Sequence, residues 1–208
     1  MLSGVILAGG ANRRMNGELK ALLPFGGKPL IVRQIECMRE ICDELIIVTN
    51  DPKPYLNKVD RSVRIITDFF AGHGPLGGMH AALSLAIHTS VWVVGCDMPF
   101  ISSKAAQLLM QRKLDGFEAV VPLVASELYP LHGIYDRACA SHIVHLLNQG
   151  ETKVSALLNH VFWSELGDRF LLENGVDLNF VSNIKTFEEY EAMGFVEHGK
   201  PTEVTDGS

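Results

Sequence analysis

No run of apolar residues in this chain approaches the roughly 20 that a membrane-spanning helix requires. The opening stretch Val5-Ile6-Leu7-Ala8 is too short for the apolar region of a secretory leader, and no basic residue precedes it. Neither membrane insertion nor export is expected, which leaves the cytoplasm as the expected location. Positive charge is scarce as well: 18 Lys and Arg stand against 24 Asp and Glu, a formal net charge of -6. That balance argues against the basic face on which nucleic-acid binding depends. The four cysteines, Cys37, Cys42, Cys96 and Cys139, include no C-x-x-C pair and no zinc-ligand spacing. Reduced, mostly buried thiols are therefore expected, with neither a disulfide framework nor a structural zinc site. Internal repeats and low-complexity segments are missing too, which excludes solenoids and linker-like chains.

What remains is an ordinary globular composition, 47% hydrophobic and 20% charged over 208 residues, enough for one well-buried core. Short β-branched runs punctuate the chain up to about residue 121: Gly4-Val5-Ile6-Leu7, Leu45-Ile46-Ile47-Val48, Arg64-Ile65-Ile66-Thr67, Val91-Trp92-Val93-Val94 and Ala119-Val120-Val121. Their continuous apolar character predicts strands buried on both faces. Between and after them, Leu30, Ile31, Ile35, Met38 and Ile41, then Ala105, Leu108 and Leu109, then Ile143, Leu146 and Leu147 recur at helical spacing. Strand and helix in alternation predict an α/β protein, a three-layer α/β/α sandwich around a mostly parallel sheet.

After about Gly116 the alternation fades, with Leu131–Tyr135 and Val161–Trp163 as further strand candidates. Thr186 followed by Glu189 has the spacing of a capping box and predicts a last helix. A single domain over residues 1–196 is expected, followed by a polar tail from Glu197 to Ser208.

Immediately after the first strand the chain reads Leu7-Ala8-Gly9-Gly10-Ala11-Asn12-Arg13-Arg14-Met15-Asn16-Gly17-Glu18-Leu19-Lys20. Open α/β sheets bind ligands at this end of their strands. Paired glycines let backbone N–H groups approach phosphate oxygens, and Arg13, Arg14 and Lys20 could neutralise a triphosphate. The spacing is neither the Walker G-x-x-x-x-G-K-[ST] nor the dinucleotide G-x-G-x-x-G. A tight strand-to-helix turn with solvated arginines is the bland alternative.

Two carboxylates stand at predicted strand ends. Asp97, in Gly95-Cys96-Asp97-Met98-Pro99, follows an apolar strand, where an ionised acid is costly without solvent, a partner or a cation. One such hard oxygen ligand suits Mg²⁺, which takes one or two carboxylates plus substrate phosphates; a helix-capping aspartate is the alternative. Asp68 follows the strand at Arg64–Thr67 and is otherwise a solvated loop acid. Gly72-His73-Gly74-Pro75-Leu76-Gly77 formally satisfies G-x-G-x-x-G, with Asp97 about twenty residues beyond, as in NAD-dependent oxidoreductases. Against that reading, Asp68–Ala71 separates the loop from its strand, and Pro75 removes a donor where donors are wanted.

The opening string resembles the L-A-G-G-x-x-x-R-M-G-x-x-K signature of the molybdenum cofactor guanylyltransferase family, nucleotidyltransferases built on a Rossmann-like sheet. Asn16 replaces the first glycine after Met15, and Leu19 stands where the family often has an acid. The resemblance continues through Gly74-Pro75-Leu76-Gly77-Gly78 (G-P-L-x-G) and Cys96-Asp97-Met98-Pro99 (C-D-x-P). It thins at the end, where Phe180–Glu189 resembles F-x-N-I-N-T-P-E-E with Asn183 kept, Lys185 for the second asparagine and Phe187 for proline.

The resemblance implies that the backbone at Leu7, Ala8 and Gly9 holds the nucleotide, that Arg14 and Lys20 meet its phosphates, that Asp97 coordinates Mg²⁺ and that Asp68 belongs to the nucleotide site. Thr49 or Asn50 is the candidate for reading guanine. Implied substrates are GTP and molybdopterin, with transient contacts to cofactor-biosynthesis or molybdoenzyme partners and the oligomeric state open. A cytidylyl- or adenylyltransferase for a related pterin, a sugar-phosphate nucleotidyltransferase and a binding-only domain would share parts of this pattern.

Overall fold

The computed structural model describes residues 1–9, 14–15, 18–70 and 72–193. Within them an eight-stranded sheet is built from β1 (Leu2–Leu7), β2 (Glu44–Val48), β3 (Arg64–Ile66), β4 (Ser90–Gly95), β5 (Ala119–Val124), β6 (Glu127–Leu128), β7 (Gly133–Asp136) and β8 (Trp163–Gly167). The order is β6-β5-β7-β4-β1-β2-β3, with β8 also paired to β5. Pairs among β4, β1, β2 and β3 are parallel, while β7 runs antiparallel between β4 and β5. This is the mostly parallel α/β sheet that the alternation predicts, with two reversed strands, β6 and β7, where the alternation fades.

Period-2 geometry sends successive side chains to opposite faces, and both faces are covered. Ile6, Ile47, Trp92 and Val94 pack with α1 (Leu30–Met38) and α3 (Ser103–Lys113). Val5, Leu7, Ile46, Val48, Val91 and Val93 pack with α2 (Gly74–Leu85) and α4 (Ala140–Asn148). All six residues of β1 and of β4 are buried, which is why these strands read as unbroken apolar runs. A third, small cluster joins Leu23, Phe25 and Leu30 to Ile184 and Tyr190.

Two boundaries differ from expectation. β8 begins at Trp163, where the predicted segment ends; Phe162 precedes it, its carbonyl accepting from the Glu118 N–H at 2.7 Å and its ring stacked on Phe117 at 4.7 Å. β7 begins at Gly133, two residues late, since His132 takes a positive φ of 80° that breaks extended backbone. The β5–β6 hairpin carries no glycine: Ala125 and Ser126 both adopt positive φ, 50° and 64°, and Asp168 accepts the Ala125 N–H at 2.9 Å. The last helix, α6 (Phe187–Ala192) after α5 (Asp168–Glu173), has the full capping box between Thr186 and Glu189. Among the described residues no helix is long and apolar enough to cross a membrane.

The amino-terminal ends of the strands are tied by one buried carboxylate. Glu44 accepts from Ser3 Oγ at 2.6 Å and from the Ile87 N–H at 2.9 Å, and pairs with Arg64. Burial pushes the Glu44 carboxyl up, but hydrogen bonds from Ser3, Ile87 and Arg64 outweigh it and hold it below its ordinary value. A lowered carboxyl contributes stability that is present above the unfolded value and is lost as pH falls through the folded one. Glu44→Ala leaves the buried Ser3 hydroxyl and the partly buried Ile87 N–H unpaired and should cost about 1 to 3 kcal/mol in urea unfolding at neutral pH. Below the ordinary glutamate value of about 4.3 the gap between variant and parent should narrow.

Candidate active site

Register places the site. Leu7, the last residue of β1, lies opposite both Val48 and Gly95, so the turns leaving β1, β2 and β4 emerge side by side. The Cys96 N–H donates to Leu7 O at 3.1 Å and the Ala8 N–H to Val48 O at 2.8 Å, which extends the pairing one residue into each turn. A cavity of about 150 Å³ opens there, lined by Leu7, Gly9, Lys20, Gly74, Pro75, Gly95, Cys96, Asp97 and Leu131. The start of the glycine turn, its lysine, the G-P-L loop and the Asp97 turn, distant in sequence, thus share one wall.

Asp97 sits in a tight turn in which the Met98 N–H donates to Gly95 O at 3.3 Å. Gly95 leaves room for this carboxylate: a Cβ there would stand 2.6 Å from Asp97 Oδ1. Burial pushes the Asp97 carboxyl up, opposed by its own backbone N–H and by the ammonium groups of Lys20 and Lys185. Lys20 Nζ donates to Ile184 O at 2.9 Å and Lys185 O at 3.1 Å, and the Ile184 N–H donates to Asp97 O at 2.8 Å. The 184–185 segment therefore holds lysine and acid in one frame. Two of the three ammonium donors are used this way, and Lys20 still lines the cavity.

The other predicted residues are placed as follows. The Ala8 N–H is engaged with Val48 O, so a phosphate donor from this backbone must come from Gly9 onward. The side chain of Arg14 lies outside the described residues, as do residues Gly10, Ala11, Asn12, Arg13, Asn16 and Gly17. Asp68 accepts from the Phe70 N–H at 2.8 Å, and its carboxylate lies against α2, where a Cβ on Gly77 would be 2.8 Å from Oδ2. It does not line the cavity. The Thr49 hydroxyl is engaged in a local turn with the Asp51 backbone, whereas Asn50 is exposed beside it. Gly74 has φ of 62° and its Cβ would meet Thr152 O at 3.2 Å, so the G-P-L loop needs this glycine.

A wider groove of about 480 Å³ between α1 and the residues after Asp97 is lined in part by Arg33, Gln34, Phe100 and Asp177 and holds none of the predicted site residues. Sequence reasoning passed over Lys185, whose charge reaches Asp97, and Gln34, whose amide bonds the Asp97 turn. An amide at a core-facing position of α1 was the available signal for the second.

Among the described residues no group of three or more His, Cys, Asp or Glu converges into a metal cage. One carboxylate at the mouth of a phosphate-sized cavity instead fits a hard divalent cation whose remaining ligands are water and substrate oxygens. The raised Asp97 carboxyl agrees with that fit, because a nearby cation would offset its desolvation.

Residues 4–165 match the family model described as MobA-like NTP transferase domain. The molybdenum cofactor guanylyltransferase of Desulfosudis oleivorans is 32% identical over 190 residues, 91% of this chain and 93% of that one. A probable molybdenum cofactor guanylyltransferase of Pelotomaculum thermopropionicum is 38% identical over 152 residues, 73% of this chain and 72% of its own length. The solved structure of molybdopterin-guanine dinucleotide biosynthesis protein A from Archaeoglobus fulgidus superposes with a TM-score of 0.76 at 25% identity, covering 91% of this chain and 95% of that one. Together with the sheet and the cavity at its carboxyl edge, these matches define a nucleotidyltransferase. The chain belongs to the MobA-like NTP transferase family, among members named molybdenum cofactor guanylyltransferase.

Substituting Gly95 tests the geometry directly. The only close neighbour of a methyl group there is the Asp97 carboxylate, the next atom being 3.5 Å away on Leu131. Gly95→Ala should therefore displace the acid with little loss of thermal stability, and nucleotidyl transfer should fall about 10- to 100-fold, the usual result of a misplacement near 1 Å.

Proposed function

We propose that this chain transfers GMP from GTP to the terminal phosphate of molybdopterin, giving molybdopterin guanine dinucleotide and pyrophosphate. The observation that carries the proposal is the shared cavity of Gly9, Lys20, Gly74 and Asp97. The acceptor phosphate attacks the α-phosphorus of GTP in line; the new P–O bond forms as the bond to the β-phosphate oxygen breaks, and pyrophosphate leaves. An anionic nucleophile needs no general base, so catalysis reduces to alignment and charge neutralisation. That matches a cavity whose charged lining side chains, among the described residues, are Lys20 and Asp97.

In this reading Asp97 holds Mg²⁺, which supplies positive charge to the triphosphate. Lys20 and Arg14 bind phosphate oxygens, and the backbone from Leu7 to Gly9 seats the nucleotide. Asn50 rather than Thr49 reads the guanine edge, because the threonine hydroxyl is already engaged. Asp68 serves the nucleotide site indirectly, by fixing the start of α2 that carries Gly74 and Pro75. We assign the donor half to residues up to about 116 and the acceptor side to 117–196, in one cytoplasmic domain.

Pyrophosphate release measured with GTP, CTP and ATP, each with and without molybdopterin, tests the reading. GTP together with molybdopterin should give turnover; a preference for CTP or ATP, or release with a hexose phosphate instead, would replace it. Asp97→Ala should abolish transfer and Lys20→Ala lower it about 100- to 1,000-fold, both with unchanged circular dichroism. Full turnover in Asp97→Ala would overturn the metal assignment.

A further inference from the structure

The helix α1 carries a polar residue where its apolar stripe calls for a hydrophobe. Gln34 lies three residues after Ile31 and four before Met38, and is only 1% exposed. Its Nε2 donates to Gly95 O at 2.8 Å and to Met98 O at 2.8 Å. Two carbonyls facing one end of the amide fix which end is nitrogen, since an oxygen there would be repelled by both. Among the described residues the opposite atom, Oε1, is buried with no hydrogen-bond partner. Leaving a buried acceptor unpaired costs free energy that a leucine or methionine of similar volume would avoid. The amide is therefore a poor choice for packing alone, and what it secures must be sought at its other end.

That end is the turn carrying Asp97. The turn's own closing bond, from the Met98 N–H to Gly95 O, is long at 3.3 Å, whereas both bonds from Gln34 are 2.8 Å. Asp97 thus lies between two carbonyls clamped by one side chain, and its own carbonyl is held by the Ile184 N–H at 2.8 Å. We propose that Gln34 is a positioning residue for transfer: by bridging Gly95 O and Met98 O, it sets the direction in which the Asp97 carboxylate enters the cavity. The proposal rests on the role given to Asp97 above, and Gln34 itself does not line that cavity.

Two variants separate positioning from packing. Gln34→Met keeps length and volume but removes both donors, and Gln34→Glu sets an acceptor against two carbonyls. Gln34→Met should retain the parent's thermal midpoint, lower kcat about 10- to 100-fold, the cost of a slightly misplaced catalytic group, and leave KM for GTP within about threefold. Gln34→Glu should be worse in kcat. In an Asp97→Asn background, Gln34→Met should add no further loss, because the residue acts through the acid. Parental kcat in Gln34→Met, or an undiminished loss in the Asp97→Asn background, would overturn the proposal.

Amide hydrogen exchange gives a readout that needs no substrate. The Met98 N–H should exchange about tenfold faster in Gln34→Met while the α1 amides keep their parental rates, and unchanged protection of Met98 would overturn the clamp. If the parent shows no transfer with GTP and molybdopterin, the functional reading fails, and the exchange experiment still decides whether Gln34 holds the turn.

Discussion

A carboxylate that is largely withdrawn from water must be met by positive charge or give up its own. Asp97 is in that position at the carboxyl edge of the sheet: burial pushes it towards the neutral form, and the ammonium groups of Lys20 and Lys185 pull it back. Leu7 and Gly95 are direct neighbours in parallel strands, so the turns that follow them leave the sheet at one height, and Asp97 and Lys20 line the same cavity there. Gly95 leaves room for the Asp97 carboxylate, and Gly74 for the close approach of Thr152 to the G-P-L loop. The result is a small space whose charged lining, among the described residues, is one acid and one lysine.

The two hydrophobic layers act on this site through rigidity. The strands β1, β2 and β4 that feed it are buried on both faces, so their ends cannot drift without disturbing a packed core. At the far edge Glu44 ties β1, β2 and β3 together through Ser3 and Arg64, so polar contacts and packing fix the register from opposite ends. Chemistry is confined to the end where backbone leaves the sheet, as expected where strands are parallel and their helices cover both faces.

Much of this was legible in the chain. Five β-branched runs announced five strands, although the edge strand β3 is exposed at Arg64 and half-buried at Ile65 and Ile66 where burial on both faces is expected, and the Thr186–Glu189 spacing announced its helix because a capping box is a local device. Less legible were features that depend on distant neighbours. The Ala125-Ser126 turn has no glycine to mark it, since its positive φ values are sustained by Asp168 from another element. Gln34 reads as a break in an amphipathic stripe, and only the fold shows which carbonyls lie beneath it. Lys185 looks like a loss of an asparagine until its backbone carbonyl is found on Lys20. In each case the missing information is the identity of a partner, which periodicity does not encode.

The bond from Lys20 to the carbonyl of Ile184 joins residues 164 positions apart. Around it Ile184 and Tyr190 pack on Leu23, Phe25 and Leu30, and the Tyr190 hydroxyl donates to Pro24 O. Closing so long a loop is among the slowest contacts a chain can make. A polypeptide emerging from the ribosome can complete its sheet while the lysine beside its first turn is still unanchored, and the charge pair at the sheet edge acquires its final geometry only when the last segment arrives. The frame around the acid and the lysine is thereby closed only by residues near the far end of the described chain.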